Sequence, residues 1–327
     1  MASVARRRGS LPMSATAKIL VPEQGARIGT VGGGCLEADI VLQSHAVMQS
    51  GVPTIVTHTL NASEAGDYGL TCGGTATVLL EPVYPDPVLA AIYAACAFTV
   101  RSGGYGVLAT ALDWGASPQK MFVASDGTVT GANDPALHAL ARALGPAANQ
   151  PMVHEHGGGT VLEPVAGAPP LTVFGGGHVG ARVAEAAAFA GWRVTVCDDR
   201  PEYADAARLP FAARTVVCDP GDVSAAGPFG SDGYAVVATR GHQHDALIMD
   251  QLARLDLRYL GMLGSRRKVA LTWSLLEQWG VPPDRLALVH APVGLSIGAD
   301  TPAEIAVSVV AEMIAVRRGG STLPGRG

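Results

Sequence analysis

The stretch of residues 171–200 constrains the fold more than any other part of the chain. It contains an apolar run, the glycines Gly175, Gly177 and Gly180 in Gly-x-Gly-x-x-Gly spacing, an alanine-rich segment, and a second apolar run that ends at Asp198. This order predicts a strand, a tight turn, a helix and a second strand. Such a unit is typical of a Rossmann-like fold.

The same stretch predicts which residues would contact a bound phosphate group. In this turn the second glycine lets the backbone approach a pyrophosphate, and the helix that follows presents free N–H groups to an anion. An acidic residue about twenty positions further on hydrogen-bonds a ribose hydroxyl. The candidate cofactor-binding residues are therefore Gly175, Gly177, His178, Gly180, Asp198 and Asp199. The alternative is a glycine turn in an ordinary α/β fold that binds no nucleotide.

Length and composition limit the possible function classes. The chain has 327 residues, which is typical of two domains. A net charge of -5 argues against a nucleic-acid partner, and no apolar run is long enough for a membrane-spanning helix. Five cysteines without the spacing of a disulfide framework indicate a protein of the reducing cytoplasm.

The order of predicted elements indicates an α/β protein with two domains. Residues 1–166 are predicted to form a smaller mixed α+β domain, and residues 171–327 a Rossmann-like domain with a parallel sheet. Segment 286–289 is predicted to be a sixth strand of that sheet. Thr301 and Glu304 are predicted to form a capping box at the start of the last helix.

Two segments of the first domain resemble each other. Segments 74–83 and 158–165 both predict a strand that ends in Glu-Pro-Val. We interpret them as a pair of related edge strands and not as a repeat architecture.

Polar residues follow the predicted strands of the second domain. Because ligands of open parallel sheets bind at the carboxyl ends of the strands, we expect these residues to share one rim. They are His242, Asp245, Ser265, Arg266 and Lys268. Basic residues at a helix start oppose the helix dipole, which indicates anion binding, although a solvated helix start fits the same run. A zinc site formed by His242, His244 and Asp245 is an alternative without a specific ligand spacing.

Two cysteines in the first domain lie beside glycines. Gly34 precedes Cys35 at the start of a predicted helix, and Gly73 follows Cys72 before a predicted strand. A helix N-terminus stabilises a thiolate, and neighbouring glycines leave the sulfur accessible. The alternative is a pair of buried small residues in tight turns. The other three cysteines, Cys96, Cys197 and Cys218, are predicted to be structural.

Several segments together resemble the XdhC/CoxI accessory proteins of molybdenum hydroxylases. The resemblance extends over nearly the whole chain and is most specific in the Gly-Gly-Cys-Leu-Glu, Pro-Val-Gly-Leu and Thr-Pro-Ala-Glu-Ile-Ala sequences. The segments are 9–10 with 12, 28–37, 70–74, 174–180, 196–202, 239–245, 260–268, 290–298 and 301–306. The family usually has a helix and a strand before the Gly-Ser-x-Pro sequence, whereas here only eight residues precede Gly9. Either the start is truncated or the first strand is short.

The resemblance implies a chaperone and no catalytic residue. Such a protein binds molybdenum cofactor (molybdopterin), protects it while its sulfido ligand is installed, and helps to insert it into apo-xanthine dehydrogenase or a related molybdenum hydroxylase. A cysteine desulfurase is the second implied partner, and we expect a homodimer. Under this hypothesis Cys35 and Cys72 contact the molybdenum centre, and the Rossmann rim holds the cofactor's phosphate, NAD(P) or another adenosine nucleotide.

Two other function classes fit parts of the sequence. An NAD(P)-dependent oxidoreductase would use the Rossmann-like domain, with His242 and Asp245 as candidate acid–base residues. A pure scaffold would bind neither nucleotide nor molybdopterin. We expect the glycine-cysteine loops to meet the Rossmann rim across a cleft or a dimer interface.

Overall fold

The computed structural model describes residues 1–11, 13–60, 74–115, 117–144, 150–155 and 158–320, with the backbone only for Cys35 and Leu60. The chain divides into two compact units of nearly equal length, Met1–Gly167 and Ala168–Gly327. In the described ranges, no helix combines the length and the apolar character that crossing a membrane requires.

The first unit contains two antiparallel sheets of five strands each. The first sheet has the order β3-β2-β1-β5-β4 and consists of β1 (Ala2–Gly9), β2 (Lys18–Leu20), β3 (Ile28–Thr30), β4 (Thr54–Leu60) and β5 (Gly74–Leu80). The second has the order β8-β7-β6-β10-β9 and consists of β6 (Tyr105–Ala111), β7 (Lys120–Ala124), β8 (Val129–Gly131), β9 (Met152–His154) and β10 (Thr160–Ala166). The helices are α1 (Gly34–Ser50), α2 (Pro87–Ser102) and α3 (Pro135–Leu144).

These two sheets are copies of one topology. Each is built from three strands, a helix and two more strands in chain order, and in each the spatial order is third, second, first, fifth, fourth. Matching residues occupy matching places. A β-carbon on Gly29 would overlap the carbonyl oxygen of Lys18, and a β-carbon on Gly131 would overlap that of Lys120. The first unit is therefore an internal repeat.

Reciprocal ion pairs join the two copies. Lys18 of the first sheet pairs with Glu163 of the second, and Lys120 of the second pairs with Glu81 of the first. The Lys120 and Glu81 side chains are fully buried, with 2.6 Å between Nζ and Oε2. Lys120 also donates to the Thr110 hydroxyl at 2.9 Å. Each acid belongs to one of the two Glu-Pro-Val sequences.

The interpretation of the Glu-Pro-Val strands as edge strands is wrong. Strand β5 lies between β1 and β4, and β10 lies between β6 and β9. The repeat that the sequence interpretation excluded is also present. The two copies retain few identical residues and differ in loop length, so the chain shows no fixed sequence period.

The second unit has one parallel sheet of five strands. Its order is β13-β12-β11-β14-β15, and its strands are β11 (Pro170–Phe174), β12 (Arg193–Asp198), β13 (Arg214–Val217), β14 (Tyr234–Val237) and β15 (Tyr259–Met262). The helices are α4 (His178–Phe189), α5 (His242–Leu252), α6 (Arg266–Gln278), α7 (Pro283–Ala287) and α8 (Pro302–Arg318). This order is the Rossmann-like order, which confirms the predicted fold class.

Helices cover both faces of this sheet. On one face Val183 of α4 and Met313 of α8 pack in a cluster with the strand residue Val173. On the other face Met249 of α5 and Leu276 of α6 pack in a second cluster. Burial on both faces explains why the strands are almost continuously apolar.

Two local predictions for this unit have different outcomes. The capping box is confirmed, because the Thr301 hydroxyl accepts from Glu304 N and the Glu304 carboxylate accepts from Thr301 N. The sixth strand at 286–289 is wrong, because Leu286 and Ala287 end the short helix α7 and Leu288 is its C-cap. Only His290 forms a bridge, to Gly261 of β15. A short apolar run fits a helix or a strand equally well.

Candidate functional site

The candidate site is the crevice at the carboxyl ends of β11 and β14. The strand order reverses between these two strands, and ligands of open α/β sheets bind where it reverses. The loops that leave the two strands touch. Gly175 has a φ of 111°, and a β-carbon at this position would collide with the carbonyl of Ala238. A side chain is therefore excluded from the first position of the turn.

Two helices begin at this crevice without a side-chain cap. The N-cap of α4 is Gly177 and that of α5 is Gly241, and neither contributes a capping hydrogen bond. By contrast, Ser265 caps α6 and Thr301 caps α8. The first N–H groups of α4 and α5 are thus left for another acceptor, and two helix dipoles favour an anion there.

The glycines of the turn differ in what the absence of a side chain achieves at each position. A β-carbon on Gly180 would collide with the carbonyl oxygen of Gly175, and one on Gly176 with that of Tyr203. Both positions are closed by packing within the protein. A β-carbon on Gly177 would meet nothing within 4 Å, and its φ of -71° suits any residue. Gly177 therefore leaves open space beside the helix start, which is where a phosphate would approach.

Asp198 is hydrogen-bonded entirely within the protein. Its Oδ2 accepts from Gly176 N at 2.8 Å, and its Oδ1 accepts from Arg200 N at 3.0 Å. The Arg200 guanidinium donates Nε to Oδ1 at 2.9 Å and Nη2 to Oδ2 at 3.1 Å. Burial alone would raise the pKa of Asp198, but the bonds from Arg200 and Gly176 outweigh it and hold the pKa below its usual range. Through its hydrogen bond to Gly176 N, the Asp198 carboxylate stabilises the conformation of the glycine loop.

Asp199 is the centre of a looser charged group at the mouth of the crevice. Its oxygens lie 3.2 Å from Arg240 Nη2, 3.9 Å from Arg200 Nε and 3.9 Å from His244 Nδ1. A small pocket lies at this point, and its lining includes Gly175, Asp198, Asp199, Arg200, Thr239 and Arg240. Its polar rim combines both signs of charge.

Asp245 and Lys268 connect α5 to α6. Asp245 is fully buried, accepts from the Thr239 hydroxyl at 2.6 Å, and forms an ion pair with Lys268. Lys268 also donates to the Leu263 carbonyl oxygen at 3.2 Å. Lys268 was a candidate for anion binding, yet its ammonium group is held by protein oxygens.

The other candidates of the rim lie on the surface. His178 and His242 are exposed first residues of α4 and α5, and Ser265 and Arg266 are exposed at the start of α6. Among the residues with described positions, no group of three His, Cys, Asp or Glu side chains could hold a metal ion. The zinc alternative at His242, His244 and Asp245 has no support in this geometry.

In the first unit, the glycine-cysteine segment at Gly34 and Cys35 lies after β3, at the start of α1. Cys35 is the second residue of α1, whose N-cap Gly33 has a φ of 70° and no side-chain cap. Cys72 and Gly73 lie outside the described residues, and so does the Cys35 side chain. Gly74 approaches Leu11, and Gly32 approaches Met13. The same β1–β2 loop therefore lies against the start of α1 and the start of β5.

Sequence reasoning missed a buried polar cluster in the second unit. Glu312 of α8 accepts from the Tyr259 hydroxyl at 2.7 Å and from Gly294 N at 2.9 Å, and its other oxygen lies 3.2 Å from His290 Nδ1. The His290 ring stacks on Tyr259 with 4.5 Å between centroids. Burial alone would raise the pKa of Glu312, but these hydrogen bonds lower it to about 2. The sequence signal for this cluster was the position of Glu312 among the apolar residues of the last helix.

This cluster predicts an acid-sensitive stability of the second unit. A carboxyl whose pKa is depressed on folding contributes stability above its unfolded pKa of 4.5, and that contribution is lost as pH falls toward 2. The shift corresponds to about 3 kcal/mol. We expect urea unfolding, followed by hydrogen exchange of second-unit peptides, to show this loss as pH falls from about 5 toward 2. In Glu312→Gln the same pH range should have a weaker effect, and equal slopes would contradict the assignment.

Comparison with known proteins places the chain in a family. The model of the XdhC Rossmann domain matches residues 171–313, and the model described as XdhC and CoxI family matches residues 1–59. The chain belongs to the XdhC and CoxI family. The first match includes the glycine turn and most of α8, and the second includes Cys35. The resemblance stated from sequence is confirmed.

Relatives of this XdhC/CoxI protein carry related descriptions. It is 28% identical over 321 residues to a Bacillus subtilis (strain 168) protein described as a probable xanthine dehydrogenase subunit, covering 97% of this chain and 93% of that protein. It is 25% identical over 318 residues to the uncharacterized protein YqeB of Escherichia coli (strain K12), of which it covers 43%. A crystal structure described as a xanthine dehydrogenase from Bacillus halodurans is 26% identical, with a TM-score of 0.75 and coverage of 99% and 93%.

Proposed function

We propose that this XdhC/CoxI protein is an accessory factor of xanthine dehydrogenase or a related molybdenum hydroxylase. It binds molybdenum cofactor, protects it while a cysteine desulfurase supplies sulfur for the sulfido ligand, and transfers it to the apoenzyme. Family membership and the descriptions of two relatives support the xanthine dehydrogenase association. When bound, the cofactor would supply two groups for the protein to contact. One is a molybdenum centre held by the dithiolene, and the other is the phosphate of the pterin side chain.

The observation that carries the proposal is the anion-ready crevice of the second unit. Two uncapped helix starts face it, and Gly177 leaves open space between them and a ligand. This arrangement fits the phosphate of molybdopterin. In the first unit, Cys35 follows the uncapped start of α1, where a thiolate is stabilised and suits a soft metal centre. Cys72 is proposed to act with it.

Burial of Asp245 weighs against the oxidoreductase alternative. A catalytic acid or base must reach the proton that it transfers. Asp245 is 0% exposed and is bonded to Thr239 and Lys268. Of the two candidate acid–base residues, only His242 lies on the surface. The site can therefore hold an anion more readily than it can catalyse hydride transfer with this pair.

Loss of the first-unit thiols should reduce cofactor retention. We expect Cys35→Ala and Cys72→Ala to lower the molybdopterin that co-purifies after co-expression with the molybdopterin synthesis enzymes, by about tenfold each if one metal contact of ~1.4 kcal/mol is lost. Pterin fluorescence after oxidation, measured on gel-filtration fractions, gives the amount per chain. Cys96→Ala, on α2 of the same unit, is the matched control. Unchanged retention in both cysteine variants would remove the thiolate role.

Transfer to a hydroxylase tests the function as a whole. Protein isolated with cofactor and treated with a cysteine desulfurase and L-cysteine should activate an apo-xanthine dehydrogenase, whereas protein isolated without cofactor should not. Steady NADH oxidation by the purified protein, together with no molybdopterin binding, would instead support the oxidoreductase.

A further inference from the structure

The second unit departs from a dinucleotide-binding Rossmann unit at the end of β12. In a dinucleotide site, the acid at this position accepts hydrogen bonds from the ribose hydroxyls. Here Asp198 already receives four hydrogen bonds from Gly176 and Arg200. Both oxygens are directed to protein donors, so neither faces a ribose diol.

Arg200 is held in place from two sides. Its guanidinium makes a two-bond pair with Asp198, and it also lies 3.6 Å above the centre of the Tyr203 ring. The backbone of Tyr203 lies in turn directly against Gly176, where a β-carbon would collide with its carbonyl. Arg200, Tyr203 and the glycine loop are therefore one packed assembly.

A ribose would have to displace this assembly. The pair between a guanidinium and a carboxylate is charge-assisted and two-pronged, and such hydrogen bonds are roughly twice as strong as neutral ones. Ribose hydroxyls offer only neutral donors in exchange. The donors to Asp198 are Gly176 and Arg200, so the helix starts at Gly177 and Gly241 stay available to a phosphate.

We propose that the Asp198–Arg200 pair prevents adenine dinucleotides from binding in this crevice. The crevice instead binds ligands that present a terminal phosphate group without a ribose diol beside it. The proposal rests on the proposed function and narrows its ligand class. Arg200 is the specificity-determining residue. Its engagement with Asp198 also removes it as a partner for the 2′-phosphate of NADPH, a role that an arginine near this strand end can have.

The test uses NADH and NADPH as fluorescent probes with the full-length protein. We expect weak binding of both to the wild type, and a Kd for NADH at least about tenfold lower in Arg200→Met, since Asp198 is released while an apolar side chain remains over Tyr203. Arg208→Met is the matched control, because Arg208 lies over the same ring at 4.7 Å without bonding Asp198. If Arg200→Met does not fold, Arg200→Lys, which keeps the charge and loses the fork, should show a smaller gain.

The outcomes separate this proposal from the proposed function. Tight binding of NADH or NADPH by the wild type, or no gain of NADH affinity in folded Arg200→Met or Arg200→Lys, would overturn the assignment of Arg200. Molybdopterin retention in the control Arg208→Met should stay within about twofold of the wild type. A protein that gains NADH binding as expected but never co-purifies with molybdopterin would support the selectivity of Arg200 and overturn the chaperone function.

Discussion

Lys120→Met is expected to destabilise the first unit by about 3–5 kcal/mol, since it leaves the buried carboxylate of Glu81 without its counter-charge. Both side chains of the pair are 0% exposed, so water cannot replace the ammonium group without opening the structure. The Tyr93 hydroxyl, 3.5 Å from Glu81 Oε1, is too distant to compensate. Hydrogen exchange of first-unit peptides during urea unfolding would measure the loss separately from the second unit.

Two further variants control this experiment. Arg182→Met, in α4 of the second unit, removes one partner of an exposed ion pair with Glu185 and should change the stability of that unit, followed through second-unit peptides, by less than about 0.5 kcal/mol. The double variant Lys120→Met with Glu81→Leu should recover much of the loss, because an apolar pair avoids the desolvation of both charges. A double variant as unstable as Lys120→Met would show that packing, and not the unpaired charge, dominates.

Gly180→Val is expected to destabilise the second unit by about 3 kcal/mol or more, at the upper end of overpacking effects. The branched side chain would collide with the carbonyl oxygen of Gly175, a backbone atom that cannot rotate away. Helix α4 would have to move off the glycine turn, and the crevice would lose its shape. Thermal unfolding combined with exchange of second-unit peptides would measure the effect.

Gly177→Ala is the matched control in the same turn. Its new methyl group would meet no protein atom within 4 Å, so stability should change by less than about 0.5 kcal/mol. Molybdopterin retention should nevertheless fall, since the methyl group fills the space that the phosphate would use. Normal retention in Gly177→Ala would place the phosphate elsewhere, and a stable Gly180→Val would contradict the packing role of Gly180.

Features that are local in the chain could be predicted. The glycine turn, its flanking strands and the capping box at Thr301 each depend on residues within one short segment. The uncapped start of α1 at Cys35 is local in the same sense. Short apolar runs are the exception, because segment 286–289 fits two periodicities, and in the structure its first two residues end a helix instead of forming a strand.

Partners that are distant in the chain could not be predicted. The sequence marks Asp198 as an acid at a strand end, but only the folded sheet brings Gly176 N to its Oδ2. Likewise nothing in the sequence pairs Lys120 with Glu81. The prediction of a homodimer and that of a cleft between the glycine-cysteine loops and the rim stay predictions.

The sequence by itself determined the Rossmann-like unit, its glycine turn and the family, because short-range sterics and hydrophobic periodicity are written in consecutive residues. Tertiary structure alone decided the duplicated sheets of the first unit, the burial of Asp245 and the hydrogen bond from Gly176 to Asp198. The physical reason is that a charge's role depends on which opposite charge the fold brings to it, and on how much water the fold leaves there.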